Sequence, residues 1–439
     1  MNSNEICLDW RILTWSIGGI ALVFFGGNAG LLLVYVVLAY LGIKDFKNIV
    51  PALLLVNIIL NTNSVSSVSM KTIINVLLVI IYFILAIIQL TKRNCKIGQI
   101  GIVFAFMCGL FLLSSFKNSE FLAISSLKLI SFICLFYSLY CGLQKTNFYS
   151  NLKYLYNYWA AFVILSTLCL FFWTQYAYLL NGRSFQGISV HPITFGVIVS
   201  IFCLIFLSIY IYYKKTLSRS FMFLFIISAY LIVLTNCRTA VVWFYVSFLT
   251  LLLFSFVFDL EQRRKLSLKI LMIILIGSLF TYSIFYDKIT SFLFKESRGV
   301  VYHKDIGTLT SSRQGLMGAS WDNFASDPIW GIGFGSPSGI KDFEVTMLPG
   351  TNIPISAPTE KGNFLLANLE TVGLMGTIAI LFLFVKIVYK IKGPFVYIKI
   401  AAFLIVIFIN LTECFMYGVN SIGALFWYCC LLGIKETTN

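Results

Sequence analysis

Apolar stretches of roughly 18 residues or more recur along the whole chain, separated by short polar breaks. This is the pattern of a polytopic α-helical membrane protein, in which each span needs about 20 apolar residues to cross the hydrocarbon core. The polar breaks predict about fourteen spans. They lie at approximately 12–25, 29–42, 49–60, 71–90, 98–115, 121–143, 155–175, 188–213, 220–236, 239–258, 268–287, 362–388, 396–411 and 415–433. Very tight turns join the pairs on either side of Asn236-Cys237-Arg238 and of Glu413. The first apolar run follows Asp9 and Arg11 without a small-residue cleavage site and reads as the first span. The alternating pattern of an outer-membrane barrel is absent.

One long polar interval, Tyr286 to Gly376, interrupts the apolar pattern and predicts a loop over 288–361 within a single 1–439 membrane domain. Long connections in compact proteins usually carry function. Ser312 can cap a short helix running from Arg313 to about Phe324, with Leu316, Met317, Trp321 and Phe324 along one side. Such a helix would rest on the bundle or in the interface. Asp327-Pro328 ends it. Gly331, Gly333 and Gly335 then allow close backbone approaches, and the proline-bearing stretch from Lys341 to Pro358 reads as an irregular lid.

Composition strengthens the membrane reading. Hydrophobic side chains make up 59% of the chain and charged ones 11%, far below the quarter or so typical of soluble domains. The formal charge of +15 is a topology signal. Basic residues from Lys44/Lys47, Lys92/Arg93/Lys96, Lys145/Lys153, Lys214/Lys215/Arg219, Arg263/Arg264/Lys265/Lys269 and Lys386/Lys390/Lys392/Lys399 fall in alternate connections. With Arg11 and Lys435, that side nets roughly +14 and the remainder about +1 by the positive-inside count. Both termini are therefore expected in the cytoplasm and the long loop outside it, and no nucleic-acid role is implied. The 11 cysteines lack metal or redox spacing. Most sit in predicted spans as small hydrophobes, while Cys237 and Cys414 fall near outer span ends as a candidate disulfide pair.

The chemistry-bearing residues collect on the expected outer face. Arg183, Arg238 and Arg313 share it, and guanidinium groups there bind phosphate through paired hydrogen bonds or meet lipid headgroups as anchors. Glu360 and Lys361 precede the span beginning near Gly362, whose positive helix end attracts anions. Glu360 is a candidate base for a sugar hydroxyl or a capping acid beside its counter-charge. Glu370, about two turns further on, is an intramembrane acid in need of a partner, with Lys128 or an arginine as candidates. His191 begins a span before Pro192, either touching substrate or donating a local hydrogen bond. Lys128, inside a span, either snorkels or faces a polar cavity. No P-loop, acidic metal pair or nucleophile elbow is present. What remains is a cationic outward site with one plausible base, suited to transferring a sugar from a lipid-linked pyrophosphate to an acceptor hydroxyl.

Several motifs, in order, resemble the O-antigen polymerase/O-antigen ligase family. They are Arg183 with His191-Pro192, the Cys237-Arg238-Thr239-Ala240 turn, Arg313 followed by Asp327-Pro328-Ile329-Trp330-Gly331-Ile332-Gly333, and Gly362-Asn363-Phe364-Leu365 leading to Leu369-Glu370-Thr371-Val372-Gly373-Leu374-Met375-Gly376. The resemblance implies an all-helical, metal-independent, cofactor-free glycosyltransferase of the bacterial cytoplasmic membrane with a large external loop. Its implied substrates are undecaprenyl-pyrophosphate-linked glycans for O-antigen (lipopolysaccharide), capsule or exopolysaccharide, with a chain-length regulator as a candidate partner. Ligases of the family commonly carry a His-Asn pair before the last conserved span, whereas this chain reads Glu360-Lys361-Gly362-Asn363. That departure favours polymerase over ligase, and one midplane lysine, no internal repeat and a large one-sided loop rank a transporter or flippase behind both. Arg313, Glu360 and Arg238 are thereby expected in catalysis, and Arg183, His191, Lys361, Asn363 and Lys128 in substrate binding.

Overall fold

The computed structural model describes residues 6–63, 68–119, 122–178, 184–213, 217–258, 264–274, 317–337, 346–347, 354–356, 361–419 and 422–434. Helices dominate, as the apolar runs predict. They are α1 Trp10–Lys44, α2 Ile49–Leu60, α3 Val68–Thr91, α4 Gln99–Asn118, α5 Leu122–Lys145, α6 Phe148–Phe172, α7 Thr174–Ala177, α8 Pro192–Tyr212, α9 Ser220–Leu234 and α10 Arg238–Phe258. Helices α11 (264–274) and α12 (317–326) follow, then α13 Phe364–Lys390, α14 Val396–Asn410 and α15 Gly423–Leu431. Among the described residues, eight helices are long and apolar enough to cross a membrane: α1, α3, α4, α5, α6, α8, α10 and α13. Side-chain caps fix several starts. Asp9 accepts from the Arg11 amide, Asn147 from that of Tyr149 and His191 from that of Ile193 ahead of a first-turn proline.

Two of the long helices fold back on themselves. In α1, Gly27 has φ 54° and ψ −136°. A Cβ on Gly30 would lie 2.1 Å from the Leu22 carbonyl, whereas eight residues of continuous helix span about 12 Å. The two short spans expected at 12–25 and 29–42 are thus the arms of one helical hairpin. The single span expected at 362–388 is also broken, because Gly373 has φ 62° and ψ −165°. The Phe364 and Phe384 rings lie 5.9 Å apart, although a straight helix would separate them by about 30 Å.

The span expected at 396–411 is found as α14, whereas the one expected at 415–433 is corrected. α14 has 15 residues and α15 only 9, about 22 and 14 Å long against a core of about 30 Å. Between them the chain is irregular and partly buried, and side chains and carbonyls of the bundle bond to it. Asn410 Oδ1 accepts from the Phe415 amide at 3.1 Å, and Trp427 Nε1 donates to the Met416 carbonyl at 2.8 Å. The stretch expected as an irregular lid contains a short antiparallel ribbon, Thr346–Met347 against Pro354–Ser356, whose second strand lies against α5. The expected loop helix at about 313–324 is helical over 317–326 among the described residues. Cys237 and Cys414 are both free thiols.

The basic connections gather at one end. Lys44, Lys47, Asn94 and Lys145 line a common cavity. Phe148 stacks on Phe395 at 5.0 Å, and Lys399 Nζ reaches the Lys392 carbonyl at 2.9 Å. At the opposite end the C-terminus of α4 meets the 327–336 segment. Between the ends an aromatic core of Phe104, Phe132, Phe136 and Trp427 ties α4, α5 and α15 together.

Candidate active site

The break at Gly373 explains how the glycine-rich segment is held. In an unbroken helix the amides of Leu374 and Met375 would donate to the carbonyls of Glu370 and Thr371. Here the chain from Pro328 to Gly333 takes both roles. Ile332 N donates to Glu370 O at 2.8 Å and Gly333 N to Thr371 O at 2.9 Å. Leu374 N donates to Pro328 O at 2.9 Å and Met375 N to Ile329 O at 3.3 Å. All four backbone groups freed by the break are satisfied, as burial demands. The fit requires backbone against backbone. A Cβ on Gly331 (φ 68°) would meet the Glu370 carbonyl at 2.5 Å, and one on Gly373 would meet that of Ile329 at 2.2 Å.

The α4 terminus clamps the same segment. Asn118 Nδ2 donates to Asp327 Oδ2 at 2.6 Å and to Gly331 O at 2.7 Å. Ser114 Oγ donates to Trp330 O at 2.5 Å, and Ser115 Oγ accepts from Phe334 N at 3.0 Å. Asp327 also caps the turn through the Trp330 amide at 3.1 Å, with Lys117 at 3.6 Å. The Trp330 N–H, then Asn118 and Lys117, hold the Asp327 carboxyl below the usual carboxylate range against an opposing desolvation. Phe334, 1% exposed, enters the bundle with its ring 5.0 Å from Phe111, 5.1 Å from Tyr417 and 6.1 Å from Phe132. Removing such a ring from water contributes about 2 kcal/mol. Lys128 Nζ donates to the Gly335 carbonyl at 2.9 Å, so this lysine faces inward to the segment.

Behind this interface lies a buried ionic cluster. Lys361 Nζ is 2.6 Å from Glu370 Oε2, with side-chain exposures of 5% and 0%. The two groups form a buried, charge-assisted ion pair. Asn323 of α12 donates to the other carboxylate oxygen at 2.8 Å. Lys361 is therefore the partner of Glu370, in place of the Lys128 or arginine expected from sequence. Burial lowers the pKa of Lys361, and the Glu370 carboxylate acts against that shift. Asn363 caps α13 through the Leu366 amide at 3.0 Å and donates to Leu411 O at 2.6 Å. Tyr417 donates to Asn368 Oδ1.

Arg238 opens α10 directly after Asn236, whose φ of 53° makes the tight turn. α10 packs on α8, where a Cβ on Gly196 would meet Ala240 and Cys237. Trp243 Nε1 donates to Thr412 Oγ1 at 2.9 Å. The exposed His191 lies little more than a turn of α8 before Gly196 and caps that helix through Nδ1 at 3.2 Å. Phe185 N reaches Leu234 O at 3.1 Å, bringing the chain that follows Arg183 onto the end of α9. Arg183, Arg313 and Glu360 lie outside the described residues. The described elements beside Arg313 and Glu360 meet at Glu370, which pairs with Lys361 and accepts from Asn323, while α10 joins Thr412 and Leu411 holds Asn363. Asn118, Asn323 and Phe334 were not among the residues the sequence singled out. Their only signals are a terminal asparagine, a polar position on a short helix and an aromatic between glycines.

Residues 223–357 match the family model described as O-antigen ligase, a range that includes Arg238 and the whole glycine-rich segment. No curated protein matches the chain. Over residues 223–357 the chain is thus similar to the O-antigen ligase family, consistent with the polymerase/ligase resemblance of its motifs.

Proposed function

We propose that the protein is a polysaccharide polymerase working at the outer face of the cytoplasmic membrane. It transfers a growing glycan from undecaprenyl pyrophosphate to the non-reducing end of an incoming lipid-linked repeat. The acceptor oxygen bonds to the anomeric carbon, the anomeric carbon–oxygen bond to pyrophosphate breaks, and the carrier leaves as the free pyrophosphate. The acceptor proton passes to a base, for which Glu360 is the candidate. Arg183, Arg238 and Arg313 bind phosphate and offset the leaving charge. His191, Asn363 and Lys128 border the substrate.

The observation that supports this reading best is Lys361. Its buried ammonium, paired with Glu370 at 2.6 Å and seated beside a discontinuous helix, supplies a fixed positive charge for an anionic oxygen. The test is purified protein in nanodiscs given lipid-linked single repeats. A ladder of products supports the polymerase. Transfer of a finished glycan to a separate lipid or protein acceptor, with no ladder, replaces it with the ligase. The broken helices α1 and α13 are also a feature of transporters. Movement of the lipid-linked repeat across vesicles without any new glycosidic bond would establish that reading instead.

A further inference from the structure

A second cavity lies apart from the site above, toward the basic end. It is enclosed by the two arms of the α1 hairpin together with α2 and α6, and holds about 740 Å³, within the range of ligand pockets. From Arg11 its wall runs along the first arm to Leu22, a length of about 16 Å. Gly18, Gly19, Val37 and Ala52 leave that wall apolar. A Cβ on Gly18 or Gly19 would meet nothing within 4 Å, so these glycines border open space that larger side chains could fill.

The mouth is different in character. Arg11 stands there, exposed, and its guanidinium forms no ion pair among the described residues. The nearby acid, Asp9, is already taken by Lys153 at 2.7 Å. Trp10 and Trp15, each 73% exposed, flank Arg11 as tryptophans do at the level of lipid headgroups. An apolar slot of acyl-chain length with an unneutralised guanidinium at its headgroup end is complementary to one kind of molecule.

We propose that this cavity is a binding site for an acidic phospholipid, with an acyl chain between the α1 arms and its phosphate on Arg11. Native mass spectrometry of the full-length protein, released from nanodiscs containing phosphatidylglycerol or phosphatidylcholine, tests it. The wild type should retain phosphatidylglycerol about tenfold more than phosphatidylcholine, whose choline ammonium cancels the phosphate charge and repels the Arg11 guanidinium. Arg11→Gln should abolish that preference while still admitting a chain, and Gly18→Leu/Gly19→Leu should lose both lipids. Equal retention of the two lipids by the wild type would overturn the proposal without recourse to any variant. So would undiminished phosphatidylglycerol on the filled variant. Selective retention of a polyprenyl phosphate over phosphatidylglycerol in mixed nanodiscs would overturn the assignment of the occupant.

Discussion

The buried Lys361–Glu370 pair gives the sharpest test of whether the candidate site is chemical or only structural. Glu370→Gln leaves an ammonium that is 5% exposed facing a neutral amide. Breaking one side of a buried pair costs about 3–5 kcal/mol, most of it the stranded charge. Lys361→Met strands a carboxylate of 0% exposure, held then only by Asn323, at a similar cost. The double variant Lys361→Met/Glu370→Gln removes both charges and should regain most of that stability. Thermal unfolding in detergent, monitored for all four proteins, gives the cycle. Activity follows a different pattern if Lys361 serves the substrate. The double variant stays about 100-fold or more below wild type despite recovered stability, because a fixed charge for the leaving pyrophosphate is gone. The pH dependence of Glu370→Gln has a defined sign. Burial depresses the folded pKa of Lys361, so the native state binds fewer protons than the unfolded state between that pKa and about 10.4. Its stability therefore rises with pH through that window and approaches wild type at the alkaline end. Two results would refute the reasoning: single variants as stable as wild type, or activity returning with stability in the double variant.

Three further outcomes follow from the same geometry. Asp327→Ala should cost about 1–2 kcal/mol and raise amide exchange across 328–336. In the wild type the Asp327 contribution is present above about pH 4 and lost as pH falls through its lowered folded pKa, which exchange protection measured against pH would show. Gly373→Ala imposes a positive-φ conformation costing about 1–3 kcal/mol and drives a methyl into the Ile329 carbonyl. Protease cleavage within 317–337 should accelerate, whereas Gly109→Ala, in open space on α4, should leave it unchanged. Arg238→Ala should lower the rate of ladder formation about 100-fold or more, and Arg238→Lys should recover only part because a point charge lacks the paired donors. An equally active Arg238→Ala would remove Arg238 from the site.

How much of this was legible in the sequence depends on the range of the interactions involved. The helical membrane class follows from hydropathy, which every span carries locally. The α1 hairpin was legible because the polar-poor run is punctuated at Gly26-Gly27-Asn28, and the expected arms flank the break found at Gly27. Gly373 carried no such signal. A single glycine in an apolar run is compatible with continuous helix, and the groups that stabilise the break come from Pro328–Gly333, some forty residues earlier. The pairing of Lys361 with Glu370 was hidden for a similar reason. Helical spacing brings together residues three or four apart, whereas this pair bridges the start of α13 across nine positions. The shortness of α15 was masked by apolar residues that continue through the irregular segment before it.

The hydrogen bonds exchanged at Gly373 tie the loop and the helix into one unit. Segment 328–333 completes α13 where α13 is interrupted, and Phe334 is seated among rings of α4, α5 and the 411–422 connection. Helix α12 is attached to the same unit through Asn323 and Glu370, and its described residues begin four positions after Arg313. α10, which begins at Arg238, is attached through Trp243 and Thr412, and Leu411 in turn holds Asn363. Two of the three proposed phosphate-binding arginines, Arg238 and Arg313, are thus referred to one structural discontinuity. Orientation contributes to catalysis only while the groups stay within a fraction of an ångström of their productive positions. Substitutions at Asn323, Thr412 or Gly331 touch no proposed substrate atom, yet they displace the elements that carry the arginines. They should therefore lower kcat/KM while Arg238 and Arg313 themselves remain intact.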